Sequence, residues 1–261
     1  MLTRSAFADH FAHRAVFGMI HLRALPGAPA FVSMSEVLGA ALRDARAIRD
    51  GGCDGLVIEN YGDVPFTKGR VDAETVAAMT RAIAEVAREV QLPFGVNVLR
   101  NDARSAIAIA AATGAAFIRV NVLAGAMLTD QGIIEGDAYA TLRARAALAP
   151  EVLVFADHLV KHATPLGNVD AVQSARDLRH RAGADAIIVS GAETGAPADA
   201  SRLASLREAV PDAPLLVGSG LTADNASHYD ADAAIVGTAL KDSSGAVDRA
   251  RVAAVVAAFK R

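Results

Sequence analysis

Eight short apolar runs, at 15–21, 54–60, 93–99, 116–122, 152–157, 185–190, 214–219 and 233–238, punctuate this chain, and amphipathic stretches separate most of them. Helical periodicity is read at 35–49, 75–90, 102–112, 170–181, 200–210 and 246–260. Alternation of this kind imposes a parallel sheet, because each helix carries the chain back to the end where the previous strand began. Two architectures meet that condition. An open doubly wound sheet requires a glycine-rich GxGxxG turn after its first strand, whereas the first run here leads into His21-Leu22-Arg23-Ala24-Leu25-Pro26-Gly27. The expected fold is therefore α/β, a single (β/α)8 TIM barrel over residues 1–261. Phe7 and Phe11, four apart on a short leading helix, are expected to close its bottom.

Length and composition agree with that reading. The chain has 261 residues, against roughly 250 for one such barrel. It is 52% hydrophobic but only 5% aromatic, with no Trp, so Ala, Val, Ile and Leu must build the core, as under helices that cover a parallel sheet. A formal charge of −3, with both signs mixed along the chain, supplies neither a basic patch for nucleic acid nor a polybasic membrane anchor. The first residues lack the apolar core of a secretory signal, and no stretch approaches the roughly 20 apolar residues of a membrane span. A cytoplasmic location is expected, with a homo-oligomer as the default for a barrel of this size. Cys53 has no second cysteine to pair with and is expected to be a small buried filler.

In a TIM barrel the site lies where the strands end in the direction of the chain. Those ends are rich in polar residues: His21, Glu59 with Asn60, Asn97, Arg119 with Asn121, and Asp157. Alternation along each strand allows His21, Glu59, Asn97, Arg119, Asn121 and Asp157 to face the mouth together. They form either a satisfied polar layer or a site. The two accounts stand level for Asn97 and Arg119, which with Asn60, Asn121, Asp130 and Glu135 are the expected substrate contacts; a buried carboxylate needs partners, which favours a working role for Glu59 and Asp157. The fifth run continues into Asp157-His158-Leu159-Val160-Lys161-His162, which gathers acids, bases and an amine. Lys161 is either an imine-forming amine or an ion-pair partner of Glu59 or Asp157, and His162 is preferred over His158 as the working imidazole. His21, Glu59 and Asp157 are also possible ligands of a divalent cation, but no HxH or Cys/His spacing supports one. No cofactor is expected.

Two further segments suggest ligand contacts. The last two runs end in Val217-Gly218-Ser219-Gly220 and Val236-Gly237-Thr238. Loops after the seventh and eighth strands of TIM barrels frequently hold phosphate on backbone N–H groups. Gly191, Gly218, Ser219, Gly220, Gly237 and Thr238 are accordingly the expected phosphate contacts, although glycines also serve tight turns. The connection from Leu123 to about Asp137 is long for a structureless loop, which marks it as a lid or binding loop with Asp130 and Glu135 closing over a ligand.

Taken together, GMIHLRALPGAP, DGLVIENYGDVPF, FGVNVLRNDARSAIAIA, FIRVNVLAGAMLTDQGIIEGDA, VKHA, VGSGLTADN and IVGTALK resemble the BtpA/SgcQ family over nearly the whole chain. Tyr61, where that pattern has Phe, and Arg23-Ala24, where it usually carries Pro second, depart from it. The resemblance implies a TIM-like barrel, with one branch named for photosystem I biogenesis and another associated with carbohydrate uptake and metabolism. Two functions follow as expectations. One is an enzyme acting by acid–base chemistry on a phosphorylated sugar or nucleoside-like molecule, as an isomerase, lyase or glycosidic-bond-cleaving enzyme. The other is a non-catalytic accessory protein for photosystem I biogenesis.

Overall fold

A computed structural model covering residues 1–261 contains eleven strands: β1 (Ala15–His21), β2 (Gly55–Glu59), β3 (Phe94–Asn97), β4 (Phe117–Val120), β5 (Ala126–Thr129), β6 (Gly132–Glu135), β7 (Leu153–His158), β8 (Ala163–Pro165), β9 (Ala186–Val189), β10 (Leu215–Val217) and β11 (Ala233–Val236). All eight apolar runs become strands of one closed parallel barrel, in the order β1-β11-β10-β9-β7-β4-β3-β2. The ring closes where Ala15 of β1 registers with Ala233 of β11. Eight α-helices accompany them: α1 (Arg4–Phe11), α2 (Met34–Asp50), α3 (Ala73–Val90), α4 (Ala103–Thr113), α5 (Ala138–Leu148), α6 (Ala171–Arg176), α7 (Ala200–Ala209) and α8 (Arg249–Phe259).

Local chemistry sets where these helices begin. The side chains of Ser33, Asp102, Asp137, Asp170, Asp199 and Asp248 each accept a first-turn backbone N–H and so satisfy a donor with no partner in the helix. Gly114 ends α4 in the left-handed region (φ 77°) that glycine enters without penalty.

Strand alternation splits the core into two bodies. Val16, Ile118 and Val154 point outward into a layer of 59 buried residues shared with the helices. Phe17, Phe117 and Phe155 point inward, where they join Phe7 and Phe11 of α1. Phe117 stacks on Phe155 at 4.2 Å between centroids, and the Phe11 ring meets Phe17 and Phe117 edge-on. More than half of the chain's nine phenylalanines therefore fill the bottom of the barrel, and the site has to lie at the other end. No helix is long and apolar enough to cross a membrane.

Three local expectations are corrected. The 123–137 connection is not a structureless loop: β5 and β6 form an antiparallel hairpin, and β8 adds a third strand beside β5. Met127 and Ile134 bury against Val122 and Val160 beneath it. The helix read at 170–181 breaks after Arg176 into a π-helical turn over Asp177–Arg181. Barrel strand β7 ends at His158, and Leu159 and His162 adopt positive φ, so the fifth run does not continue as a strand to His162 and Lys161 belongs to a turn.

The hairpin carries a testable consequence. Backbone amides within 126–135 are expected to exchange slowly in the ligand-free protein, because ladder bonds and the Met127–Ile134 contact hold them. Hydrogen exchange read by mass spectrometry checks this, and exchange there at the rate of an unprotected peptide would show that the three-stranded sheet does not persist.

Candidate active site

Backbone register assembles the mouth. His21 is opposite Glu59, Glu59 opposite Asn97, and Asn97 opposite Arg119, so one level of the barrel places four polar side chains side by side across β1 to β4. Asp157 stands one layer higher on β7, and the Arg119 side chain rises to meet it. Arg119 Nε donates to Asp157 Oδ2 at 3.0 Å and Nη2 to Oδ1 at 2.9 Å, while Asn121 Nδ2 donates to Oδ2 at 2.8 Å. Asn97 Nδ2 donates to the Arg119 carbonyl and to Asn121 Oδ1, both at 3.1 Å. Both charges of the pair are buried, so the bidentate geometry and the added asparagine bonds must offset a desolvation cost of several kcal/mol per ion. Asp157 is thereby occupied by three donors, an arrangement that suits a residue orienting Arg119 better than a free base.

On the opposite side, Glu59 Oε1 lies 3.3 Å from His21 Nε2. Burial raises the Glu59 carboxyl, but the bond from His21, with the positive charges of Arg119 and Lys161, outweighs it and holds the group at about 2. Glu59 is consequently an anion throughout the neutral range. Lys241, which follows the 3-10 turn Thr238–Leu240, donates from Nζ to His21 Nδ1. A donor at Nδ1 leaves the ring proton of the neutral imidazole on Nε2, facing Glu59. Tyr61 stacks on the same ring at 4.4 Å. Burial lowers Lys241, with Asp44 and Glu59 opposing the shift.

Lys161 is not in an ion pair with Glu59 or Asp157, since Arg119 has taken Asp157. Burial and the neighbouring Arg119 and Arg100 pull its pKa down, only partly countered by Glu59 and Asp157. An amine of that kind is closer to giving up its proton at neutral pH than a surface lysine.

Two spaces that share lining residues occupy the mouth. The wider, about 440 Å3, is bordered among others by Tyr61, Phe66, Arg100, Asp130 and His162. The narrower, about 30 Å3, is a corner lined by Gly218, Ser219, Gly220, Gly237 and Thr238. Glu59, Arg119, Lys161 and Thr194 border both. The N–H groups of Ser219, Gly220 and Gly237 make no hydrogen bond within the protein. Gly220 is at φ +67°, and a Cβ there would meet the Ala196 carbonyl oxygen at 2.2 Å. A Cβ on Gly237 would meet the His21 ring at 3.2 Å and narrow the corner.

Several expected contacts lie elsewhere. Gly191 does not line the corner, because its N–H is spent on Ser219 Oγ (2.8 Å). That hydroxyl in turn donates to the Ala196 carbonyl (3.1 Å), which leaves Ser219 only its backbone N–H for a ligand. The segment after Gly237 is a three-residue 3-10 turn and brings no helix dipole worth counting. Asn60 is committed to loop structure, accepting from Leu99 N–H at 2.7 Å and donating to Asp63 at 3.0 Å. Glu135 is exposed on β6 and does not border the cavity, whereas Asp130 does. His162 is exposed, accepts the Thr194 N–H at Nε2 (3.2 Å), and is lowered by partial burial and the charges of Lys161 and Arg100. His21, Glu59 and Asp157 do not form a ligand set, and no group of three or more His, Cys, Asp or Glu side chains is placed to hold a metal ion. Arg100 and Lys241 were not among the expected residues; their only signals were a long polar loop after the third run and a lysine three residues beyond Thr238.

Fold and site together define a TIM barrel whose C-terminal face joins an acid–base cluster to a corner of unpaired amides. The BtpA family model matches residues 12–261, and this chain belongs to the BtpA family. It is 42% identical over 259 residues to the photosystem I biogenesis protein BtpA of Synechocystis sp., covering 97% of this chain and 90% of that protein. To the putative sgc region protein SgcQ of Escherichia coli it is 34% identical over 248 residues, covering 92% and 91%. Among solved structures, N-(5'-phosphoribosyl)anthranilate isomerase from Pyrococcus furiosus superimposes with a TM-score of 0.59 at 14% identity, over 95% of this chain and 99% of that one.

Two predictions follow from the buried charges. Asp157→Asn strands the Arg119 cation and is expected to cost about 3–5 kcal/mol in urea unfolding, far more than Glu59→Gln, whose side chain borders the cavity and holds no buried arginine. Equal losses for the two would remove the distinction drawn between them. The second concerns His158, whose buried ring nitrogens lack partners of good geometry. Burial, reinforced by Arg202, pushes it down from 6.5 to about 4. The unfolded chain then binds a proton that the folded one refuses, so stability falls as pH drops from about 6.5 to about 4, by up to about 3 kcal/mol. His158→Leu is expected to flatten that part of the stability–pH curve. An unchanged slope in the variant would assign the loss to other groups.

Proposed function

We propose that this protein is an enzyme that performs acid–base chemistry on a phosphorylated sugar or nucleoside-like small molecule, as an isomerase or a lyase. One observation carries the reading: Glu59 and Lys161 border both the wide cavity and the corner of free amides, with His21 lining that corner beside Glu59. A phosphate on the amides of Ser219, Gly220 and Gly237 brings the body of its molecule up against those groups.

Roles follow from charge state. Glu59, held at about 2, is a poor proton acceptor by itself because an effective base titrates near the working pH. It serves best as the partner that steadies the His21 proton and stabilises positive charge developing there. Lys161, lowered by burial, is the group best matched to exchanging a proton with substrate, and a carbonyl substrate offers it imine formation as well. Arg119, fixed by Asp157, supplies a positive charge that needs no reorganisation during reaction. In the Pyrococcus isomerase the same fold serves a phosphoribosyl compound by name, which agrees with this reading without carrying it. The Synechocystis relative is named for photosystem I biogenesis. An accessory role of that kind calls for a partner surface and gives no reason for charges to converge beside an anion corner.

The test pairs sugar phosphates and nucleoside monophosphates with their unphosphorylated forms, followed by NMR in deuterated water. Turnover or solvent-proton exchange is expected for a phosphorylated member only. Glu59→Gln should lower its rate by about 10²–10⁴ with the melting temperature preserved. Gly237→Asp, which puts a carboxylate beside the corner, should weaken the phosphorylated ligand far more than its analogue. Equal losses for both ligands, or full activity in Glu59→Gln, would defeat the proposal.

A further inference from the structure

Two arginines line the wide cavity, and they differ in one respect. Arg119 has Asp157; Arg100 has no carboxylate partner, although it is only 5% exposed. The Arg100 backbone N–H goes to the Thr67 carbonyl (3.2 Å), and one side-chain N–H, from Nη2, goes to the Lys161 carbonyl (2.7 Å). The rest of the guanidinium makes no hydrogen bond within the protein. Withdrawing a cation from water without a counter-ion is unfavourable unless an anion arrives to complete it. Burial lowers Arg100, and the more distant charges of Asp157 and Asp130 offset only part of that.

We infer that Arg100 is the receptor for a carboxylate on the substrate, which therefore carries two anionic ends. This rests on the phosphate corner proposed above. Arg100 borders the wide cavity and not the corner; Gly237 borders the corner and not the wide cavity; Lys161 and Glu59 border both. A molecule anchored at both ends lays its middle across the two reactive groups. A carboxylate supplies the single negative charge that Arg100 lacks. With one N–H committed to Lys161, the guanidinium still offers a parallel pair, and that fork matches the two coplanar oxygens of a carboxylate. The bond to the Lys161 carbonyl also ties the carboxylate receptor to the backbone of the lysine.

Calorimetry on the full-length protein tests this with acids of increasing length against polyol phosphates of the same length: 3-phosphoglycerate against glycerol 3-phosphate, 4-phosphoerythronate against erythritol 4-phosphate, and 6-phosphogluconate against sorbitol 6-phosphate. At the length that spans the two anchors, the acid is expected to bind at least about tenfold more tightly. Arg100→Gln should erase that preference and leave the polyol phosphate within about twofold. Arg100→Lys, which keeps the cation and a donor for the Lys161 carbonyl but loses the fork, should retain only part of it, and guards against a general loss of structure. Gluconate against sorbitol reads the carboxylate receptor without the phosphate. Acids preferred whether or not they carry phosphate, with phosphate itself adding nothing, would sink the corner and spare Arg100. No preference for an acid at any length, or a preference that survives Arg100→Gln, would overturn the inference.

Discussion

The buried pair of Arg119 and Asp157 is the constraint around which the upper barrel is arranged. Two opposite charges this far from water need close partners, and the barrel supplies Asn121 to Asp157 and holds Asn121 in turn with Asn97. Three neighbouring strands, β3, β4 and β7, are thus fastened by side chains as well as by their ladder. The pair also divides labour between the two inner carboxylates. Asp157 is consumed in holding Arg119, and the Arg119 charge then helps keep Glu59 ionised across the barrel.

Above this level the mouth is tied by bonds that cross from one loop to the next. Asn60 links the turn after β2 to Leu99 after β3; Arg100 continues to the Lys161 carbonyl after β7. His162 receives the Thr194 amide, and Ser219 joins Gly191 to Ala196. Most of these are side chain to backbone, and each loop borrows its shape from a neighbour. A rim knitted in this way positions amides and charges before any ligand arrives, which limits the ordering that binding must impose.

The barrel was legible because its strands are apolar on both faces and end in polar residues, so each run marks its own boundary. The eight runs and the polar ends at His21, Glu59, Asn97, Arg119 and Asp157 could be read for that reason. The plug was legible too, since Phe7 and Phe11 stand out in a chain so poor in aromatics. The β5–β6 hairpin was not: AMLT and GIIE are four residues each, flanked by glycine, and their pairing depends on Met127 and Ile134 finding Val122 and Val160 across the sequence. Lys241 and Arg100 were missed because no periodicity governs a turn. Ser219 shows how little a residue name reveals of its bonding, since its hydroxyl joins the Gly191 amide to the Ala196 carbonyl.

The position of α1 also bears on how the chain acquires its shape. Phe7 and Phe11 stand on the helix before β1, yet their partners Phe117 and Phe155 come from β4 and β7, far along the sequence, and β1 closes only on β11. The aromatic face of α1 stays uncovered until the strands that receive it are assembled. Ring closure joins β1 to β11 in a long-range contact, the kind that makes folding slow. Until those contacts form, α1 is the element of the barrel most open to wrong associations.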